Sequence, residues 1–426
     1  MTSRERIEKA LNHEETDRIP IDIGSSGQTG INASTLYKLR KVLGLKEQPI
    51  EIIEPYQMLG KVDDDLRQLL GIDAVPLWCP MNLFGTKGPG VVPWTMHDGT
   101  PVLMPAPFVY EEDKEGNVLV YPQGDRNVKP SLKMPSGGYF FDNLDRSGEI
   151  DENDLDARRD FKNLYGVFSD EDARFLEESS IQLYEETDAA IHFNFNGGGY
   201  GDAAIVPGPY EKEPRGIRRL DDWYMAHYLY PDYLKDLFEM MTEYALKNLE
   251  IVRQAVGERI TTINISCSDF GGQNGELISP EHFREFYVDN FKILNDWVHK
   301  NTSWKTHFHC CGSIVNILDD YVAAGFDVYN PVQISAAGMD AVMLKEKYGR
   351  SLTFWGGAVD TQKTLPFGTP EEVRKEVRER LEIFTPGGGF VFSTIHNIVG
   401  KTPVENLVAM LEEFESFNSE RAVKTV

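Results

Sequence analysis

The chain has 426 residues, 41% of them hydrophobic and 26% charged, a composition typical of a globular protein with room for one large barrel or two to three smaller domains. Its 68 acidic residues outnumber 43 basic ones, and the net charge of −25 argues against a surface for nucleic acid or an anionic membrane. No apolar run approaches the roughly 20 residues that cross a bilayer, and we expect no signal peptide. Four cysteines, two of them adjacent, favour the reducing cytoplasm over a disulfide framework.

The first third of the chain predicts two strands, three helices and a β-rich segment. Residues 17–24 alternate apolar and polar side chains, and Ala74–Trp78 is a short apolar run, so both are expected to be strands. Ser3 is expected to cap a short first helix. Further helices are predicted over 33–47 and 60–71.

From residue 82 to residue 143, proline and glycine become frequent, and we interpret this segment as an inserted β-rich excursion. Hairpin strands are predicted over 101–110 and 117–121, around a turn at 113–116. The acidic residues 149–164 are expected to be a solvated connector.

Helices and strands alternate regularly from Glu171 onward, which is typical of βα units around a parallel sheet. Helices are predicted over 172–187, 216–229, 231–256, 280–301, 313–324, 339–348, 370–384 and 403–417. Strands are predicted over 189–196, 259–269, 305–312, 325–331, 352–358 and 388–396. With the two early strands, the count of eight predicts a single (β/α)8 TIM barrel spanning residues 1–426. A doubly wound open sheet is the alternative, but no Gly-x-Gly-x-x-Gly or P-loop follows the first strand.

Polar residues gather at the carboxyl ends of the predicted strands, the face where such barrels carry their active sites. They are Asn194, Asn196, Cys267, Asp269, His309, Cys311, Asn330, Gln333, Asp360, His396 and Asn397. Asp269 is assigned to proton handling or substrate orientation, and His307, Asn330 and Gln333 are assigned to the catalytic site with it. A cap on the following helix is the other interpretation of such a residue.

A metal site is predicted in residues 304–312, because His307, His309 and Cys311 alternate and so share one face of a strand. Imidazole and thiolate are preferred zinc ligands, and catalytic zinc keeps three protein ligands and one open position. His309, Cys311 and His396 are the predicted set, with Cys267 and Asp269 as rivals for the third place. His307 is expected one pleat deeper, and Cys310 is expected to point the other way, toward a helix. Hydrogen-bonded core histidines with small apolar cysteines are the alternative.

The chain resembles the uroporphyrinogen decarboxylase superfamily over nearly its whole length. The resemblance is carried by the opening from Arg4 to Pro20, Asp269-Phe-Gly-Gly-Gln273, Ile278-Ser-Pro-Glu281, Asn330-Pro-Val-Gln333, Phe354-Trp-Gly-Gly357, Gly387-Gly-Gly389 and His396-Asn-Ile. It implies a (β/α)8 barrel. True uroporphyrinogen decarboxylases carry Arg-Gln-Ala-Gly-Arg after the first strand to hold substrate carboxylates, whereas this chain has Gly24-Ser-Ser-Gly-Gln-Thr-Gly30, which does not fit that reaction.

His309-x-Cys311-Gly312 resembles instead the zinc site of the superfamily's methyltransferase branch, in which a cysteine near the last strand completes the set; here that place holds His396. The resemblance implies a zinc-dependent methyltransferase that moves a methyl group between a small methoxylated or methylthio substrate and a corrinoid, and it suggests a homodimer. No histidine follows an aspartate at the spacing of an Asp-x-His-x-x-Gly loop, so the corrinoid is expected on a partner protein. A metal-free decarboxylase or lyase and a non-catalytic binding barrel are the alternatives.

Overall fold

The computed structural model describes residues 1–88 and 90–425, and its centre is a curled parallel sheet of seven strands. The strands are β1 Ile50–Glu54, β2 Leu59–Gly60, β3 Ala74–Trp78, β4 Val91–Thr95, β5 Pro101–Pro105, β6 Tyr110–Glu112, β7 Val118–Val120, β8 Leu132–Met134, β9 Asp142–Asn143, β10 Ala190–Asn194, β11 Thr262–Ser266, β12 Lys305–His309, β13 Val328–Asn330, β14 Thr353–Trp355 and β15 Phe390–Val391. The central sheet has the order β15-β14-β13-β12-β11-β10-β3, so the strands lie side by side in the order in which they occur along the chain.

Helices connect these parallel strands, as βα units require. They are α1 Ser3–Leu11, α2 Ala33–Val42, α3 Asp64–Leu70, α4 Ala157–Asp160, α5 Asp170–Glu186, α6 Leu220–Leu229, α7 Pro231–Val256, α8 Pro280–Phe283, α9 Asp289–Asn301, α10 Leu318–Ala323, α11 Ala341–Tyr348, α12 Thr364–Phe367, α13 Pro370–Phe384 and α14 Val404–Thr425. A π-helical turn, Arg284–Val288, joins α8 to α9. None of the helices within the described residues is long and apolar enough to span a membrane.

The helix boundaries that the sequence predicted best are those with strong local signals. Helix α13 begins at a capping box, in which the side chain of Thr369 accepts from the Glu372 amide and the Glu372 side chain accepts from the Thr369 amide. Helix α7 begins with Pro231 in its first turn, where the missing N–H costs nothing. Both helices have the predicted bounds. The first helix is capped by Thr2, with Ser3 inside it.

Residues 20–22 lie between the two edge strands of the central sheet. The amide of Phe392, just after β15, donates to the Pro20 carbonyl at 2.8 Å, and the Asp22 amide donates to the Phe392 carbonyl at 2.9 Å. On the other side, the amide of Asp73, just before β3, donates to the Ile21 carbonyl at 2.8 Å. These bonds link β15 to β3 through the N-terminal segment and give the sheet its barrel-like curl.

The predicted strand over 17–24 is therefore wrong as a regular strand, since only Ile21 forms a bridge. Pro20 has no N–H to donate, and the Ile21 amide donates to the Asp73 carboxylate at 2.9 Å instead of to a backbone carbonyl. The helix predicted over 33–47 is also too long, because it ends at Val42, two residues before Gly44 at φ +71°.

Residues 82–143 contain several short strands, arranged differently from the predicted hairpin. The expected strand over 101–110 is broken into β5, which ends at Pro105, and β6, with Pro107 between them. β6 and β7 form an antiparallel hairpin, whereas β5 pairs in parallel with β1, outside the segment. The description of 82–143 as an inserted excursion in a single domain stays a prediction.

The connector predicted over 149–164 is only partly solvated. It contains α4, and Phe161 directly after that helix is fully buried in the core. Asp160 is buried as well and accepts a hydrogen bond from the Tyr233 hydroxyl at 3.1 Å. The acidic composition predicted solvent exposure, but the apolar residues among the acids decide the packing.

Candidate functional site

Three predicted metal ligands meet at the carboxyl end of the central sheet. His309 closes β12, Cys311 follows two residues later, and His396 lies in the loop after β15. One ligand atom from each of the three side chains lies within 4.8 Å of the others, and Cys311 Sγ lies 3.2 Å from His309 Nε2. Within the described residues this is the one group of three such side chains that could hold a metal ion.

The His309 ring is held in one tautomer by Asn330, at the end of β13. Asn330 Nδ2 donates to the Trp355 carbonyl oxygen at 2.6 Å, and a carbonyl oxygen can only accept. The side-chain oxygen of Asn330, Oδ1, therefore faces His309 Nδ1 at 2.5 Å. His309 therefore carries its proton on Nδ1 and leaves the Nε2 lone pair toward Cys311. Asn330, predicted as a catalytic residue, lies here as an orienting partner of His309.

His396 has a matching partner in the next residue. Its Nδ1 lies 2.8 Å from Asn397 Oδ1, which again leaves Nε2 as the atom available to a metal. The rings of His309 and His396 are 5.2 Å apart between centroids, at an interplanar angle of 68°. Two imidazoles anchored through Nδ1, with a sulfur beside them, are the donor chemistry that zinc prefers.

The protonation states also fit a cation at this point. Burial lowers the pKa of His309 to about 4 and that of His396 to about 4, so both rings are neutral at neutral pH. Burial, together with the charge of Asp269, raises the pKa of the Cys311 thiol well above its usual range. A bound cation would favour the thiolate, and its binding would release that proton.

Asp269 lies beside the three side chains without joining their group. Its Oδ1 accepts from the Cys311 amide at 2.7 Å and lies 3.9 Å from His309 Nε2. Burial raises the pKa of this carboxyl group. Cys267, the other rival for the third ligand position, instead accepts from Asn264 Nδ2 at 2.7 Å and Gln28 Nε2 at 3.1 Å.

Three further predicted residues have supporting positions around this centre. His307 is buried one pleat below His309, 5.0 Å from the His192 ring between centroids, and burial lowers its pKa well below the usual value. Gln333 Oε1 accepts from the Gly312 amide at 2.7 Å and so holds the turn after Cys311. Cys310 points to the other side, where its sulfur accepts from the Phe270 amide in the apolar core.

A large cavity opens beside the centre, with a volume of about 1090 Å³, just above the usual range of roughly 300–1,000 Å³ for small-molecule sites. His309 and Asp269 line it directly, together with the aromatic residues Tyr56, Trp78, Tyr165, Phe168, Phe195 and Tyr210. Its charged lining consists of Glu54, Asp142, Asp145, Asp172, Asp202, Asp221 and Asp269 on the acidic side and Lys87, Arg146, Lys162, Arg218 and Arg219 on the basic side.

Most basic groups of the cavity already have protein partners. Lys87 pairs with Asp172 at 2.6 Å and Arg218 pairs with buried Glu211 at 2.7 Å. Arg219 pairs with Asp221, and Arg146 donates to the backbone carbonyls of Gly208 and Glu211. The cavity therefore offers few free cations for a substrate with several carboxylates.

Three residues that line the cavity, Glu54, Gln57 and Asp202, were not predicted from the sequence. Asp202 is buried, and burial raises its pKa to about 6. Its carboxylate accepts from Asn196 Nδ2 at 2.9 Å, and Asn196 has φ +49°, an uncommon backbone conformation for a residue with a side chain. Asn196 could be predicted because it is a polar residue at the end of a predicted strand. No local sequence pattern indicated Glu54 or Gln57.

One comparison with known protein families agrees with the predicted superfamily over the second half of the chain. The family model for uroporphyrinogen decarboxylase (URO-D) matches residues 213–417. Among solved structures, a methyltransferase from Methanosarcina mazei superposes with a TM-score of 0.55 at 19% sequence identity, covering 98% of this chain and 99% of that chain. At that identity the likeness shows the fold alone. A search of curated protein sequences gave no match.

Proposed function

We propose that this chain, which carries a uroporphyrinogen decarboxylase family domain over residues 213–417, is a methyltransferase that moves a methyl group between a small substrate and a corrinoid carried by a partner protein. The observation that carries the proposal is the meeting of His309, Cys311 and His396 beside a cavity large enough for a small molecule. We also propose that the fold is a (β/α)8 barrel. We propose further that the protein is located in the cytoplasm and forms a homodimer.

His309 Nε2, His396 Nε2 and Cys311 Sγ would hold zinc, which supplies a Lewis acid toward an ether oxygen or a sulfur when it is bound. In the demethylating direction the methyl–oxygen bond breaks, its electron pair stays on oxygen, and the methyl group passes to the reduced corrinoid. Asp269, which lines the cavity, would hold the proton for that oxygen. Asn330 and Asn397 keep the two imidazoles in place.

The charge of the cavity favours a methyl donor without several carboxylates. Lys87, Arg146, Arg218 and Arg219 are engaged by the protein, so few cations remain free to pair with a polycarboxylate. This balance supports a methoxylated or methylthio compound over the substrate of a decarboxylase of the uroporphyrinogen type.

The reaction is tested with purified protein and reduced Co(I) cobalamin under anaerobic conditions. Given a panel of methoxylated aromatic and methylthio compounds, the protein should form methylcobalamin from at least one of them, and removal of zinc should abolish the activity. Decarboxylation of a small carboxylated substrate by metal-free protein, without methyl transfer from any donor in the panel, would favour the lyase alternative.

Replacing Asp269 by asparagine should lower turnover by roughly 100-fold or more, the size of a general acid–base contribution. The Cys311 amide donates to Asp269 Oδ1 at 2.7 Å, and asparagine keeps an oxygen that can accept this hydrogen bond, so the loop should stay in place. The control is the zinc content of Asp269→Asn, which should match the parent. Unchanged turnover would show that Asp269 only accepts the hydrogen bond of the Cys311 amide and takes no part in proton transfer.

A further inference from the structure

Gln57 reaches the centre from the cavity wall through two hydrogen bonds. Asn397 Nδ2 donates to Gln57 Oε1 at 2.6 Å, and Asn397 Oδ1 lies 2.8 Å from His396 Nδ1. Gln57 lines the cavity, whereas His396 and Asn397 are not among the residues that do. These two hydrogen bonds thus connect Gln57 to the candidate metal ligand His396, which lies 339 residues later in the sequence.

The Gly27 carbonyl sets the direction of the hydrogen bonds that run from Gln57 through Asn397 to His396. Gln57 Nε2 faces the Gly27 carbonyl at 3.4 Å, and a carbonyl oxygen can only accept. The Gln57 amide nitrogen is therefore the donor there, and its oxygen is left to accept from Asn397 Nδ2. Asn397 must then present its own oxygen to His396, so that the His396 proton lies on Nδ1.

Gln57 is itself held firmly enough to set this order. Glu54, a buried carboxylate at the end of β1, accepts from the Gln57 amide at 2.8 Å and from the Tyr56 amide at 2.9 Å. Asn32 Nδ2 also donates to the Gln57 carbonyl at 3.2 Å. The backbone of residues 56 and 57 is thereby fixed from two sides, which limits the positions open to the Gln57 side chain.

We infer that Gln57 is a positioning residue that fixes the tautomer of His396 and so prepares Nε2 as a metal ligand. The hydrogen bonds that join Gln57, Asn397 and His396 carry this inference, and its consequence for zinc rests on the proposed function. His309 depends on Asn330 and the Trp355 carbonyl instead, so the two histidines are oriented independently.

The first test measures tautomers in metal-free protein labelled with ¹⁵N-histidine, with the His396 signals assigned from their loss in His396→Gln. In the parent, His396 should be protonated on Nδ1. In Gln57→Leu, Asn397 Nδ2 has no acceptor, and the amide can turn its nitrogen toward His396, so a substantial Nε2-protonated population should appear. The His309 signals should stay those of the Nδ1-protonated form and report that the variant is folded.

The second test measures zinc affinity by competition with a chelator. Gln57→Leu should weaken zinc by roughly 10- to 100-fold, the usual effect of removing a group that orients a ligand. Gln57→Glu keeps an acceptor for Asn397 Nδ2 and should restore both the tautomer and most of the affinity. Asn143→Leu removes another amide of the same cavity, one that donates to the Ala204 carbonyl at 3.1 Å, and should change neither.

An unchanged His396 tautomer in folded Gln57→Leu would overturn the inference, whatever the zinc affinity. A shifted tautomer in a protein that binds no zinc in any form would uphold the inference and contradict the proposed metal centre. The two proposals therefore fail separately.

Discussion

Replacing Cys311 by serine should remove most of the zinc from the purified protein, whereas replacing Cys310 should leave the zinc content unchanged. The two sulfurs are neighbours in sequence but face opposite sides of the chain. Cys311 Sγ lies 3.2 Å from His309 Nε2, while Cys310 is fully buried and accepts from the Phe270 amide. A hydroxyl is a poor substitute for a thiolate, so the loss of affinity should exceed the roughly 10- to 100-fold expected for an orienting group.

The measurement is elemental analysis of parent, Cys311→Ser and Cys310→Ser after equal dialysis against a weak chelator. Methyl transfer to Co(I) cobalamin should fall in parallel with zinc in Cys311→Ser only. Full zinc occupancy in both variants would show that the centre has been assigned to the wrong residues. Equal loss from both would point to a general disturbance of the loop after β12.

Replacing Asp73 by alanine should lower the free energy of unfolding by about 3–5 kcal/mol, the usual cost of breaking a buried ion pair from one side. Asp73 is fully buried and accepts from Arg6 at 2.6 Å, Arg18 at 2.7 Å and the Ile21 amide at 2.9 Å. Its removal leaves two guanidinium groups without this partner and one amide near the sheet edge unpaired. The link through residues 20–22 should weaken with it.

Urea denaturation of Asp73→Ala and parent gives the difference in unfolding free energy. Asp319→Ala is the matched control, since Asp319 is exposed and pairs with exposed Lys347 at 2.9 Å, an arrangement worth about 0–1 kcal/mol. A loss below about 1 kcal/mol for Asp73→Ala would mean that the ion pairs are not what holds the N-terminal segment against β3.

The predictions from sequence were accurate where the signal is local. Helices α7 and α13 have the predicted bounds because proline and capping residues act within one turn of the helix start. The order of the strands from β10 to β15 was also predicted correctly, because each strand is a short apolar run between two helical segments and both signals lie within a few residues.

The predictions failed where partners come from distant parts of the chain. Residues 17–24 alternate like a strand, but Pro20 and the Asp73 carboxylate leave only a bridge at Ile21. β1 was missed altogether, and its partner β5 lies some 50 residues further along the chain. Gln57 carries no motif, because its role depends on Asn397 and Gly27, which only the folded chain brings to it.

The sequence by itself determined that His307 and His309 face one side of β12 and that Cys311 follows just beyond its carboxyl end, since side-chain alternation is a property of neighbouring residues. Only the tertiary structure decided which distant side chain lies beside them. It brings His396 next to His309 and holds Cys267 away through Asn264 and Gln28. The loops that follow different strands meet at the carboxyl end of the sheet only because the sheet curls. That curl depends on packing and hydrogen bonds between residues hundreds of positions apart, and no local sequence pattern encodes it.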